Sequence, residues 1–300
     1  MFSWPIIHTY SKVVTKVICM TVSISAINSW EENKYILFFD LDETLFDHND
    51  REHKWFHELE SYINNLKEYY KLNYGIITGC NLAETQRKLE SLEIRQLPDF
   101  VAVGFGTDIY HHCVNNNFLQ DKHWNDLHLK TFNKAVVNEI VRILDQRGIH
   151  LVREKRSDNP LKESYYYTQA AQETTLSERI DLRLINLLAY KYNVKVIISR
   201  CNHNIRDPEN AYDIDFIPIT SGKEKVAQYL IKKFKIHKKN TFAFGDSEND
   251  LALLKSCTHG YAVDNATTNL KHYVKNVCPY DHAHGILAIL QDYFEREEII

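Results

Sequence analysis

Two carboxylates two residues apart, Asp40 and Asp42, follow the unbroken apolar and aromatic run Tyr35-Ile-Leu-Phe-Phe39. Such groups at the end of a buried segment are costly to bury without a positive partner. A hard cation such as Mg²⁺ meets that need, because it takes carboxylate, carbonyl, water and phosphate oxygens. An isolated Asp-x-Asp is more often a pair of ordinary turn residues, and three further stretches argue otherwise here. Thr78-Gly79 closes a second short apolar run, and Lys223 opens a helical stretch. A second acidic set, Asp246 and Asp250 with Asn249 between them, follows Thr241-Phe-Ala-Phe-Gly245. Two acidic pairs, a lysine and a threonine brought to one place make a metal site with an anion clamp. Phosphoryl transfer needs that combination: metal and lysine neutralise the transferred group, and a carboxylate can be the nucleophile.

The elements that must position these residues alternate between strand and helix. Tyr35 to Phe39 reads as a strand buried on both faces, as in a parallel sheet. Residues 52–71 carry apolar positions at helical spacing: Trp55, Phe56, Leu59, Tyr62, Ile63, Leu66, Tyr69 and Tyr70. The second strand ends at Thr78-Gly79, and Thr78 or Asn81 begins a helix to about Leu92. Hydroxyl, glycine and helix amino terminus in that order suit an anion, although a simple β–α turn fits equally well. Pro98 to Tyr110 reads as a third strand with a glycine-containing turn.

Residues 113–219 change character. Helical stretches near 131–147 and 176–192 alternate with short strands at Leu151–Arg153, Ser164–Thr168 and Lys195–Ser199. Tyr212 to Pro218 alternates and ends in proline, which predicts a strand finishing at a sheet edge. This segment reads as an inserted α+β domain. After it come a helix over 223–234, a strand at 241–244, a helix through Lys255, a strand at Gly260 and a helix from Asn265. In an open α/β sheet the ligand sits outside the carboxyl ends of the strands, where the polar residues fall.

Composition bounds the rest. A chain of 300 residues is long enough for two domains. A net charge of −4 gives no reason to expect a nucleic-acid partner. The six cysteines contain no Cys-x-x-Cys pair, so reduced thiols in a cytoplasmic protein are expected rather than a zinc site or disulfide scaffold. The apolar run at 17–27 is too short to cross a membrane. It can be a signal-peptide core or part of an amino-terminal extension over 1–33, and the second is preferred, with Met20 an alternative start. Asp281-His-Ala-His284 looks metal-like, but with no companion motif a solvated turn is expected.

Asp40-Leu-Asp42-Glu-Thr44, Thr78-Gly79, Lys223 and Gly245-Asp246-Ser-Glu-Asn249-Asp250 resemble the four ordered motifs of the haloacid dehalogenase superfamily. The insert resembles the larger cap of its Cof-type and sucrose-phosphate-phosphatase branch. The resemblance runs from about Tyr35 to the carboxyl end. It implies a doubly wound, Rossmann-like α/β core over 34–112 and 220–300, with an inserted α+β cap over 113–219.

The same resemblance implies that Asp40 attacks phosphorus and that Asp42 protonates the leaving oxygen and later activates water. It implies that Thr78, Gly79 and Lys223 hold phosphate oxygens and that Asp40, the Asp42 carbonyl and Asp246 bind Mg²⁺. Asp250 then supports the metal, and Asn249 orients the loop. Cys80 stands where many relatives carry arginine, which removes one phosphate contact, and a packed thiol is expected there. Arg200, Asn202, Asp213 and Asp215 are candidate sugar contacts, with structural ion pairs an equal alternative. The expected activity is Mg²⁺-dependent hydrolysis of a sugar phosphate, aminosugar 6-phosphates among the candidates, by a cytoplasmic monomer or homodimer with no membrane partner. A sugar phosphomutase or a catalytically silent phospho-ligand-binding protein are the alternatives. Intact Asp40 and Asp42 argue against silence, and the second aspartate disfavours a dehalogenase.

Overall fold

The computed structural model describes residues 35–48, 50, 52–113, 117–154, 159–168, 175–201 and 208–297. The expected extension over 1–33 and Asn202 lie outside them.

The first half of the large layer is built from β1 (Tyr35–Phe39), α1 (Lys54–Tyr70), β2 (Leu72–Ile77), α2 (Leu82–Ser91), β3 (Phe100–Val103), β4 (Asp108–Cys113), β5 (Asn117–Gln120) and α3 (Lys122–Leu129). A second layer follows: α4 (Lys134–Asp145), β6 (Leu151–Arg153), β7 (Glu163–Thr168), α5 (Thr175–Lys191), β8 (Val194–Arg200) and β9 (Ala211–Pro218). The chain then returns through α6 (Lys223–Lys233), β10 (Thr241–Gly245), α7 (Leu251–Ser256), β11 (His259–Ala262), α8 (Thr268–Tyr273), β12 (Asn276–Val277) and α9 (His282–Glu297).

The large sheet has the order β12-β11-β10-β1-β2-β3-β4-β5. Its strands run parallel from β12 to β3, and β4 and β5 are added antiparallel. The chain moves outward from β1 through β2 and β3, then comes back on the other side through β10. The strand order therefore reverses between β1 and β10, and that is where a doubly wound sheet opens a crevice. Ile36, Leu37, Phe38 and Phe39 are fully buried, as a strand covered on both faces requires.

The small sheet, β6-β7-β9-β8, is antiparallel throughout. Alternation gives it two unlike faces. Tyr165, Tyr167, Ile214 and Phe216 pack with Val137, Ile140 and Leu144 of α4 and Ile185, Leu188 and Ala189 of α5. The other face carries Tyr166, Asp213 and Ser199 in one register, and Ser164, Asp215 and Ile197 in the next.

Three expectations change. First, residues 117–129 belong with the large sheet and not with the insertion. β5 pairs with β4, Trp124 is buried in the main core, and its Nε1 donates to the Gly106 carbonyl at 3.1 Å. The hairpin turns locally, so the large layer ends one helix later than the composition suggests. Second, β9 lies inside its sheet, between β7 and β8. Pro218 is its last residue, so proline ends the strand without placing it at an edge. Third, His282 and His284 are not a solvated turn. They open α9, where His284 stacks between Trp55 and Tyr280 at 3.6 and 4.0 Å. No helix among the described residues is long and apolar enough to cross a membrane.

Gly75 is required at the centre of β2. It pairs with Phe38 on one side and Phe100 on the other, and those two rings meet 5.7 Å apart. A Cβ at Gly75 would lie 2.4 Å from the Phe100 ring. Gly75→Ala should therefore destabilise the fold by about 1–3 kcal/mol through overpacking. Urea unfolding of the two proteins checks this, and an unchanged midpoint would contradict it.

Candidate active site

The polar residues at the carboxyl ends of the large sheet meet at the β1–β10 crevice. The backbone amide of Asp40 donates to the Phe244 carbonyl at 3.0 Å, which extends the strand pairing by one residue and aims the side chain out of the sheet end. Lys223, the first residue of α6, inserts its ammonium between Asp40 Oδ1 at 2.5 Å and Asp250 Oδ1 at 2.6 Å. All three side chains are buried. The other Asp250 oxygen accepts the amides of Asp246 at 3.1 Å and Ser247 at 3.2 Å, which shapes the loop after β10. Gly245 makes room for it, since a Cβ there would lie 2.5 Å from the Asp250 side chain.

Ligand atoms of Asp40, Asp246 and Asp250 lie within 4.8 Å of one another. One ammonium does not balance them. Burial, opposed by Lys223 and reinforced by the Asp250 charge, pushes Asp40 up to about 7. Burial and the charges of Asp40 and Asp250 push Asp246 up to about 9. A cluster that holds a proton to neutrality would hold a divalent cation in its place, and a hard cation suits carboxylate oxygens. Asp40 and Asp246 reach the cavity described below; Asp250, with both oxygens engaged, stands behind them.

Asp42 has different surroundings. Burial raises its affinity for a proton, but hydrogen bonds from His48 and Lys88, with the Lys88 charge, outweigh it and hold Asp42 down at about 2. His48 Nε2 lies 3.3 Å from Asp42 Oδ1, which the Lys88 ammonium also contacts. The Cys80 thiol approaches Asp42 Oδ2 at 3.4 Å. Burial and the Asp42 charge push that thiol up to about 11, so Cys80 is a neutral packed group, as expected.

Thr78 is fixed by its own backbone: its amide donates to the Ala102 carbonyl and its carbonyl accepts from Phe105. Its hydroxyl accepts the Cys80 amide at 3.1 Å, which leaves the O–H to donate elsewhere. Asn81 caps α2 in a reciprocal box with Glu84, so the alternative start at Thr78 falls away.

These groups open into a cavity of about 540 Å³ whose other wall is the polar face of the small sheet. Asp40, Asp42, Thr78, Gly79, Lys223, Asp246 and Asn249 line one side, and Arg200, Asp213 and Asp215 the other. Asp215 is buried, accepts Ser164 Oγ at 2.5 Å and pairs with Lys162 at 3.1 Å. Lys162 reaches across to the Gly79 carbonyl at 3.5 Å. Arg200 is largely exposed, 3.8 Å from Glu178 and over the Tyr212 ring. Lys88, Glu154, Lys162 and Tyr166 also line the cavity, and sequence spacing does not single them out. Each is an ordinary residue of its helix, strand or loop until the two layers face each other.

A family model described as sucrose-6F-phosphate phosphohydrolase matches residues 33–291. The chain belongs to that family. The chain is 31% identical over 265 residues to kanosamine-6-phosphate phosphatase of Bacillus subtilis (strain 168), covering 87% of this chain and 93% of the relative. A solved haloacid dehalogenase-like hydrolase from Bacillus subtilis superposes with a TM-score of 0.69 at 30% identity, covering 88% and 93% of the two chains. The sucrose-phosphatase of Synechocystis sp. PCC6803, solved with sucrose and phosphate, shares the fold with a TM-score of 0.67 at 21% identity, over 88% of this chain and 98% of that one. The family thus falls within the haloacid dehalogenase superfamily, whose phosphatases generally use a divalent metal.

The acidic cluster predicts how metal and pH act on stability. A carboxyl whose folded pKa exceeds its unfolded value stabilises the fold at low pH. That contribution is complete below about 3.8 and is lost as pH rises through the folded values of about 7 and 9. Millimolar Mg²⁺ should therefore raise the melting temperature of chelator-treated protein most at pH 8.5, and much less at pH 6, where protons already neutralise the cluster. Thermal melts with and without Mg²⁺ at both pH values check this, and an equal gain at both would contradict it.

Proposed function

We propose that this phosphohydrolase hydrolyses a sugar phosphate with Mg²⁺, through an aspartyl-phosphate on Asp40. One observation supports this above all: Asp40, buried at the strand-order reversal and held by Lys223, opens into a cavity roofed by a polar sheet. In this reading Asp40 attacks phosphorus. Thr78 Oγ1, the Gly79 backbone and Lys223 hold phosphoryl oxygens as charge develops on them. Asp42 gives a proton to the departing sugar oxygen and then takes one from the water that cleaves the intermediate. Its low resting pKa suits the second task, and the incoming phosphate dianion works in the direction of protonation for the first. A bound Mg²⁺ would be held by Asp40, the Asp42 carbonyl and Asp246, with Asp250 behind, and would neutralise charge on the transferred group. Asn249 borders the cavity beside Asp246 and orients that loop.

The small-sheet layer acts as the cap that reads the sugar. Asp213, Asp215 and Lys162 face the leaving group, with Arg200 at the rim. Asn202 remains a candidate outside the described residues. Three carboxylates on this wall, Glu154, Asp213 and Asp215, face two cations, Lys162 and Arg200; the excess of acid suits an ammonium, and the name of one relative, kanosamine-6-phosphate phosphatase, agrees with an aminosugar 6-phosphate. The free thiols of Cys80, Cys257 and Cys278 suit a reducing compartment, which favours the cytoplasm for a protein taken to be a monomer or homodimer.

Asp40→Asn should abolish phosphate release from aminosugar, hexose and nucleotide monophosphates while the melting temperature holds, because one of several crowded charges is removed. The wild type should favour a sugar phosphate and need no bisphosphorylated primer. A folded Asp40→Asn protein with near wild-type turnover would refute the nucleophile. A strict primer requirement with little phosphate released would favour the mutase.

Asp213→Ala and Asp215→Ala should each lower kcat/KM for the best sugar phosphate by roughly tenfold, since a polar site rejects substrates it no longer pairs with. Turnover of p-nitrophenyl phosphate should change far less. Steady-state kinetics on both esters decide it, equal losses meaning that these residues serve the fold or the chemistry.

A further inference from the structure

The phosphate side of the cavity is short of positive charge. Lys223 already contacts two buried carboxylates, Asp40 and Asp250, so it offers a phosphoryl group at most its third ammonium proton. The turn Thr78-Gly79-Cys80 offers a hydroxyl and backbone amides but no cation, and Cys80 is a neutral thiol. Without a bound metal ion, a phosphoryl dianion set beside Asp40, Asp42 and Asp246 would meet mostly like charge.

Two further ammoniums reach this turn: Lys162, 3.5 Å from the Gly79 carbonyl but paired with Asp215 of the small sheet at 3.1 Å, and Lys88. Lys88 lies on the second turn of α2, and helical side chains lean toward the helix amino terminus. It therefore reaches back to the start of the helix, where its Nζ lies 3.2 Å from Cys80 Sγ and contacts Asp42 Oδ1. Those two acceptors engage two of the three ammonium protons, one of them only weakly, because sulfur is a poor acceptor. The side chain is 22% exposed and lines the cavity with Asp42, Thr78 and Gly79. Asp42 is also held from another side by His48 at 3.3 Å. The ammonium can thus turn to a ligand without leaving Asp42 unpaired.

We infer that Lys88 is a phosphoryl-binding residue of this site, supplying from α2 the cation that the turn after β2 lacks. The inference rests on the phosphatase reading, because it takes this cavity to hold a phosphoryl group. It differs from a purely structural role, in which Lys88 would only neutralise Asp42. The neutralising role acts only through the Asp42 charge and so disappears in Asp42→Asn, whereas the binding role keeps phosphate affinity dependent on the charge at residue 88 in that background.

Binding of inorganic phosphate to the full chain with saturating Mg²⁺ separates them. Calorimetric titration of the wild type, Lys88→Met and Lys88→Arg, each also in the Asp42→Asn background, is the measurement. Removing a charge-assisted hydrogen bond should weaken phosphate binding by about tenfold or more in Lys88→Met. Lys88→Arg, which keeps the charge, should stay within about threefold of the wild type, a loss well under 1 kcal/mol on the tenfold-per-1.4 scale. The Mg²⁺-induced rise in melting temperature should be the same in all three, showing the acidic cluster intact. Phosphate affinity unchanged in Lys88→Met overturns the inference and leaves the phosphatase reading standing. Equal weakening in Lys88→Arg and Lys88→Met also overturns it, since the loss then follows shape and not charge. A wild type that binds no phosphate overturns both.

Discussion

The buried contact of Lys223 with Asp40 and Asp250 is the constraint on which the rest of the site depends. Its members come from the end of β1, the start of α6 and the loop after β10, so it joins parts of the chain 183 residues apart across the insertion. Desolvating such groups is costly, and a buried ammonium with no carboxylate partner left typically costs about 3–5 kcal/mol, whereas Asp250 still neutralises Lys223 when Asp40 alone loses its charge. With two carboxylates and one ammonium, and Asp246 alongside, the cluster keeps an excess of negative charge. That imbalance makes the site receptive to a cation. A fully neutral cluster would be a better staple and a poorer metal site.

The fold confines this imbalance to one end of the sheet. β1 and β10 pair in parallel along fully buried residues, and the strand order reverses between them. Asp40, Asp42 and Asp246, which follow those two strands, line the same crevice. The return of the chain is tied in place as well. Lys195 of the small sheet pairs with Glu224 of α6 at 2.7 Å, and His128 meets Thr220 at 2.8 Å, linking the outgoing and incoming connections. The second layer is therefore fastened to the element that carries Lys223.

The small sheet adds a different kind of wall. Its apolar face is covered by α4 and α5, so its polar face is left to border the cavity. Lys162 connects the layers, pairing with Asp215 on its own sheet and reaching the Gly79 carbonyl on the other. A polar roof above a charged floor can discriminate among hydroxylated leaving groups while the floor handles the phosphoryl group, because a buried polar group left unpaired is penalised strongly.

Much of this was legible in the residues themselves. The run at 35–39, the glycine and threonine at 78–79, Lys223 and the loop at 245–250 reveal the charged floor of the cavity, because a carboxylate at the end of a buried apolar strand demands a positive partner. The alternation of Tyr212 to Pro218 likewise puts Asp213 and Asp215 on one face, since side chains alternate with a period of two whatever the sheet around them. What the sequence could not determine was partnership. β9 became an internal strand, β5 and α3 joined the large layer, and His284 became the middle of an aromatic stack, each through contacts between distant segments. Lys88 and Lys162 follow the same rule. Nothing in their local spacing distinguishes them from solvated lysines, and only the approach of Asp42, Cys80, Asp215 and Gly79 from elsewhere in the chain turns them inward. Local pattern decides which face a side chain takes on its own element, whereas tertiary packing decides what that face meets.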